Sequence, residues 1–129
     1  MAEIPEGYEE LLIQPNIAHL ATVRPDGQPA VSPMWFSWDG ELLRFTHTTR
    51  RVKFRNIEAN PYVAVSVLDP AQPYQYLQVR GVVESLTPDP AGEFFVELAK
   101  RYGMADPTPP ADSPDRVVIA VRPFAYSKQ

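Results

Sequence analysis

Phe45-Thr-His-Thr-Thr-Arg-Arg-Val-Lys-Phe-Arg-Asn-Ile57 starts at the end of a strand, crosses small hydroxylated residues and enters a short helix. Thr48 or Thr49 is the expected N-cap, because a side-chain oxygen there can accept from an unpaired N–H of the first turn. Arg44, Arg50, Arg51, Lys53 and Arg55 are five of the chain's twelve Lys and Arg residues, and no acid falls between Glu41 and Glu58. Free N–H groups, a positive helix end, hydroxyls and guanidinium forks together make an anion site, with phosphate the usual guest. The alternative is a solvated basic face. The net charge of −4 favours the site, since the rest of the surface is acidic.

Upstream of this stretch, residues 6–14 are predicted as a short helix stopped by Pro15. Ile17-Ala-His-Leu-Ala-Thr-Val23 reads as a strand, Arg24-Pro-Asp-Gly27 as a turn and residues 28–38 as a second strand. Within the second strand, Val31, Pro33 and Trp35 point one way; Ala30, Ser32, Met34 and Phe36 point the other. Asp39-Gly40 turns the chain into a third strand over residues 41–46. The three are expected to form an antiparallel meander that leads into the basic helix.

Downstream, Asn60-Pro61 breaks that helix, and Tyr62-Val-Ala-Val-Ser-Val-Leu68 is the cleanest strand pattern in the chain. A long strand is expected over residues 74–86, with Gly81 marking a bulge or a close backbone approach. Thr87-Pro-Asp-Pro90 then leads into a helix over about 91–102 with Phe94, Phe95, Leu98 and Ala99 as its apolar stripe, ended by Gly103. Residues 104–115 are Pro-rich and read as a surface loop. Val117-Val-Ile-Ala-Val121 is a final strand, and Phe124-Ala-Tyr126 is expected to extend the sheet after a break at Pro123. Strands joined by hairpin turns, with three short helices outside, predict a closed or nearly closed antiparallel barrel.

At 129 residues the chain is the size of one domain, 1–129, and 44% hydrophobic content suits a folded core. Its pI near 5.1 argues against nucleic acid and anionic membranes as partners. The absence of cysteine excludes disulfides and thiol catalysis and fits a cytoplasmic protein. The opening Met1-Ala-Glu-Ile-Pro-Glu-Gly7 has neither a basic nor an apolar signal region, so no secretory signal is expected there. His19 and His47 are not at a metal-binding spacing, and no metal set is expected. His19 reads as a packed or half-exposed strand histidine; His47 reads equally as a phosphate donor or a simple loop histidine. No self-contained catalytic set is evident, so any chemistry would rest on a bound cofactor.

Four blocks in order give the chain a likeness. They are residues 17–29, Val31-Ser-Pro-Met-Trp-Phe36, Thr46 with Arg51-Val-Lys-Phe-Arg-Asn56 and Asn60-Pro61, and Tyr76-Leu-Gln-Val-Arg-Gly-Val-Val-Glu84. The chain resembles the pyridoxamine 5′-phosphate oxidase-like family, especially its flavin/deazaflavin oxidoreductase branch. That resemblance implies a mainly β fold: a six-stranded antiparallel split β-barrel of the FMN-binding type. It implies a homodimer with two cofactor sites at the interface. Val31, Ser32, Pro33 and Met34 would lie against the tricyclic ring. Thr46, Arg51 and Lys53 would hold phosphate, with Thr48, Thr49, Arg50 and Asn56 as neighbours. Tyr74, Tyr76 and Gln78 would approach from the partner subunit. Five clustered cations exceed the need of one phosphate and favour coenzyme F420, with its oligoglutamate tail, over FMN. The expected activity is hydride transfer from reduced F420 to a small unsaturated or quinone-like molecule. FMN-dependent oxidase or reductase activity and a non-catalytic flavin-binding barrel are the alternatives.

Overall fold

The computed structural model describes residues 3–129, so that Met1 and Ala2, where the signal reading begins, lie outside it. Its elements in order are α1 (Glu10–Ile13), β1 (Ala18–Val23), β2 (Pro29–Met34), β3 (Ser37–Trp38), β4 (Leu43–Thr48), α2 (Val52–Ala59), β5 (Tyr62–Leu68), β6 (Tyr76–Pro88), α3 (Glu93–Arg101) and β7 (Arg116–Lys128). The seven strands form one antiparallel sheet in the order β2-β1-β5-β6-β7-β4-β3. Its two edge strands, β2 and β3, are joined by only Trp35 and Phe36. Two residues bridge at most about 10 Å, so the sheet must curl until its edges nearly meet. This is the split barrel.

Three expectations change. The strand foreseen over residues 28–38 is two, making seven strands rather than six. The backbone of Phe36 is withdrawn from the ladder by α3: its N–H donates to Tyr102 Oη (3.1 Å) and its carbonyl accepts from Arg101 Nε (2.9 Å). The hairpin β1–β2 pairs as expected, from Ala18↔Met34 to Val23↔Pro29. The Asp39-Gly40 hairpin also forms, but over only two pairs, Ser37↔Arg44 and Trp38↔Leu43, so the third strand does not complete a meander. β4 pairs with β7, from Leu43↔Val121 to Thr48↔Arg116. Finally, β7 runs straight through Pro123. A central-strand proline lacks the ladder donor, but Pro123 stands opposite Gly81, beside a register shift between Arg80 and Gly81 that absorbs the gap.

Gly81 is both bulge and close approach: a Cβ there would lie 2.6 Å from Val121 Cγ1 and 2.9 Å from the Arg122 carbonyl. Inward residues of alternating strands fill the barrel, with Leu20, Phe36, Leu43, Phe45, Val67, Leu77, Val79, Ile119 and Val121 wholly buried. Each such side chain contributes about 1.5–3 kcal/mol. Helix α1 is shorter than predicted, a single turn ending at Ile13. Asp89 fixes the start of α3 by accepting from the N–H groups of Glu93 (3.1 Å) and Phe94 (3.0 Å). At its other end, Arg101 donates to the carbonyls of Leu12, Ile13 and Gln14 as well as Phe36. One guanidinium thus holds α3, the end of α1 and the β2–β3 link together.

Candidate functional site: a cationic cleft between β2, β4 and α2

A cleft of about 640 Å³ is lined by Ser32, Pro33, Met34, Thr46, His47, Thr48, Arg50, Arg51, Val52, Lys53 and Arg116. Strand β4 supplies the hydroxyls, the turn into α2 the cations, β2 the opposite wall, and β7 its first residue. No acid is among these lining residues. Two of the cations are balanced from outside: Arg50 by Asp115 (2.6 Å) and Arg116 by Asp112 (3.0 Å). Among the described residues, Arg51 and Lys53 have no acidic partner. Lys53 is half-buried, its Nζ donating only to the Met34 sulfur at 3.1 Å. Burial, and then the neighbouring Arg51, pull its pKa below the ordinary lysine value.

The polar atoms of the cleft are equally unmatched. Ser32 Oγ, Thr46 Oγ1 and His47 Nε2 are buried without a hydrogen-bond partner. An orphaned buried polar group costs about 1–3 kcal/mol, and three in one cleft mark where a ligand's polar atoms belong. No side chain caps α2. Its N-cap is Arg51, in extended conformation, and its first turn holds no acid. This corrects the Thr48/Thr49 cap, and it leaves the helix's positive end and free donors to the cleft. Thr48 Oγ1 instead accepts from the Arg50 N–H (3.3 Å), shaping the turn.

Eight of the foreseen residues therefore meet here: Ser32, Pro33, Met34, Thr46, Thr48, Arg50, Arg51 and Lys53. Thr49 lines a separate, smaller cavity with Phe54 and Pro114. Asn56 is buried and donates to Thr22 Oγ1 (3.1 Å), pinning α2 to β1. Val31 is exposed on the edge strand. Tyr74, Tyr76 and Gln78 lie along β6 or just before it, away from this cleft. Arg44 also leaves the cluster. It pairs with Asp39, in another cleft with Trp38, Phe94 and Glu97. The pKa of Asp39 is lowered to about 2, first by the Leu42 N–H, then by Arg44 and the Glu41 N–H. His47, Val52 and Arg116 join instead. His47 is part of β4 rather than a loop, and His19 is exposed rather than packed. Arg116 reaches the cleft only through the β4–β7 pairing, which no local pattern announces.

A family model described as "Pyridoxamine 5'-phosphate oxidase" matches residues 4–129. The chain belongs to the pyridoxamine 5′-phosphate oxidase-like split-barrel family. A solved structure titled "F420 Reductase" is 62% identical over 96% of this chain and 98% of its own, with a TM-score of 0.93. General Stress Protein 26 of Bacillus anthracis str. Sterne is 25% identical over 92% of this chain and 88% of its own, with a TM-score of 0.70. A conserved hypothetical protein of Mycobacterium tuberculosis has a TM-score of 0.77 over 99% and 85%; at 18% identity it shows the fold alone. No match was found among curated proteins. For this family member, no helix among the described residues is long and apolar enough to cross a membrane.

Proposed function

We propose that this protein is an F420-dependent reductase, a single 1–129 domain that reduces a small unsaturated or quinone-like organic molecule in the cytoplasm. The observation that carries the reading is the pair of unpaired cations, Arg51 and Lys53, beside the orphaned Ser32 Oγ and Thr46 Oγ1. They fit a phosphate-bearing cofactor, and the 62%-identical F420 reductase says which one. Arg51 and Lys53 neutralise the phosphodiester, Thr46 donates to it, and Ser32 offers a hydrogen bond on the ring side of the cleft, with Pro33 and Met34 as its apolar wall. Arg50, exposed at the rim, attracts the anionic tail, and Arg116 adds positive charge from inside the cleft. The bound reduced deazaflavin supplies the hydride. Anaerobic titration with F420, followed by fluorescence, tests the assignment, with FMN as the competitor. Tight F420 binding and weak FMN binding are expected; the reverse order would replace the cofactor.

The active form we propose is a homodimer. Tyr62, Leu68, Tyr74 and Phe124 are all exposed, and Tyr62 meets Phe124 edge-on at 6.1 Å across β5 and β7. An apolar outer face of this kind suits a two-fold contact. In it Tyr74, Tyr76 and Gln78 of one subunit approach the other's cleft. Phe36 and Trp35 do not belong to this face: Phe36 is wholly buried and Trp35 stacks on Tyr102 at 5.1 Å.

A further inference from the structure

His47 has no task in the fold. Its side chain is only 7% exposed, on the inward face of β4 that also carries the core residues Leu43 and Phe45. Its Nε2 is buried and unpartnered, yet the residue lines the cleft. Core histidines normally satisfy both ring nitrogens; one that does not, facing a cleft, awaits an acceptor.

The charges that face it decide which form it takes. Arg51 and Lys53 look at it from α2, Arg116 from the start of β7, and Asp112 from the loop before β7. Its strand neighbour on β7, Val117, brings no charge. Burial first, then the three cations, hold its pKa near 4, and only Asp112 opposes them. An anion between these cations leaves the burial but acts against its effect and that of the cations. It offsets the positive field, and it gives Nε2 an oxygen to donate to.

We propose that His47 is a further ligand-binding residue, which donates from Nε2 to the anionic group in the cleft and takes up a proton as that group arrives. This rests on the reading of the cleft as an anion site. The proton comes from solvent and stays on the imidazole; no bond to the ligand forms or breaks. Binding is therefore linked to pH. Affinity rises as pH falls through the bound form's titration point, about tenfold for each unit by which the anion raises it. A neutral ligand of the same shape gains nothing.

The chain has two histidines, so imidazole proton NMR reads His47 directly, its resonance assigned by its loss in His47→Gln. Titrations are run on the free protein, with saturating F420, and with inorganic phosphate. The expected result is a His47 midpoint near 4 in the free protein that rises by a unit or more with F420. His47→Gln, which keeps an N–H donor but cannot titrate, should bind F420 with a flat pH profile. An unmoved His47 in the F420-saturated protein overturns the proposal while leaving the cofactor assignment intact. So does a pH profile shared by wild type and variant. Should F420 not bind, the cofactor assignment falls and phosphate decides: a raised His47 midpoint upholds the proposal, an unmoved one ends it. The midpoints themselves are read on the wild-type protein.

Discussion

Two cations without acids on a folded surface imply a reserved partner, and the prediction at residue scale follows. Lys53→Ala and Arg51→Ala should each weaken F420 binding roughly tenfold to hundredfold, the loss of one charge-assisted bond of about 1.5–3 kcal/mol. Thermal melts should barely change, or rise for Lys53→Ala, because a half-buried ammonium without a counter-ion is a cost to the fold. Arg24→Ala, on the β1–β2 turn beside Asp26, is the control and should leave binding unchanged. Binding is read by fluorescence titration. His47 supplies a second expectation. Its folded pKa, about 4, is below the ordinary 6.5, so the unfolded chain binds a proton that the folded chain refuses. Stability should decline as pH falls from about 6.5 to about 4, by about 3 kcal/mol from this residue, and level off below. Subtracting the same pH series for His47→Gln isolates that part of the loss. At this scale the sequence showed the cations and hydroxyls but not their partners. That Arg50 is tethered by Asp115 depends on a contact between distant segments, while Arg44 turns to Asp39 and Arg116 to Asp112 within their own turns, where the alternative of the cleft was equally open to the sequence.

At the scale of elements, what was legible was local. The Pro-Asp-Gly turn, the alternation of residues 62–68 and the break at Asn60-Pro61 involve neighbours alone, and the strands they bound are where they were expected. Gly81 was legible because a glycine inside a strong strand pattern needs a reason, and Val121 with the Arg122 carbonyl is that reason. Gly81→Ala should cost about 1–3 kcal/mol, an overpacking penalty on two interior strands, visible as a lower urea midpoint with unchanged slope. What was illegible was the capture of one element by another. Nothing local says that the backbone at Phe36 leaves the ladder for Arg101 and Tyr102. Arg101→Ala should therefore destabilise by about 2–3 kcal/mol, more than an exposed-arginine truncation. Arg101→Lys should recover little, because one ammonium cannot serve four carbonyls spread over two segments. Denaturant unfolding of both variants measures this.

For the whole molecule, the antiparallel barrel follows from composition and turn spacing, but the exact strand count and the strand order do not. Hydrophobic alternation gives each strand a face; it does not say which strand lies beside it. The third strand was expected beside its sequence neighbour; the sheet keeps two residue pairs of that hairpin and lays the strand's whole length against the most distant one. The dimer is tested at this scale. Tyr62→Glu or Phe124→Glu should shift light scattering from twice 14.5 kDa toward the single-chain mass, with weaker F420 binding. A monomeric wild type with full affinity would remove the shared cleft.

The β4–β7 pairing also fixes the order in which this protein becomes competent during its synthesis. Strands β1, β2, β5 and β6 can pair as soon as they leave the ribosome. Strand β4, bearing Thr46, His47 and Thr48, has only the two-residue β3 beside it until residues 116–121 appear. At about 5–20 residues per second that wait lasts several seconds. Throughout it, the cationic turn is tethered to a strand with one open edge. A nascent chain stalled before Arg116 would carry half a barrel and all of Arg50, Arg51 and Lys53, yet no cleft. Cofactor loading therefore waits for the seventh strand, which is its gate.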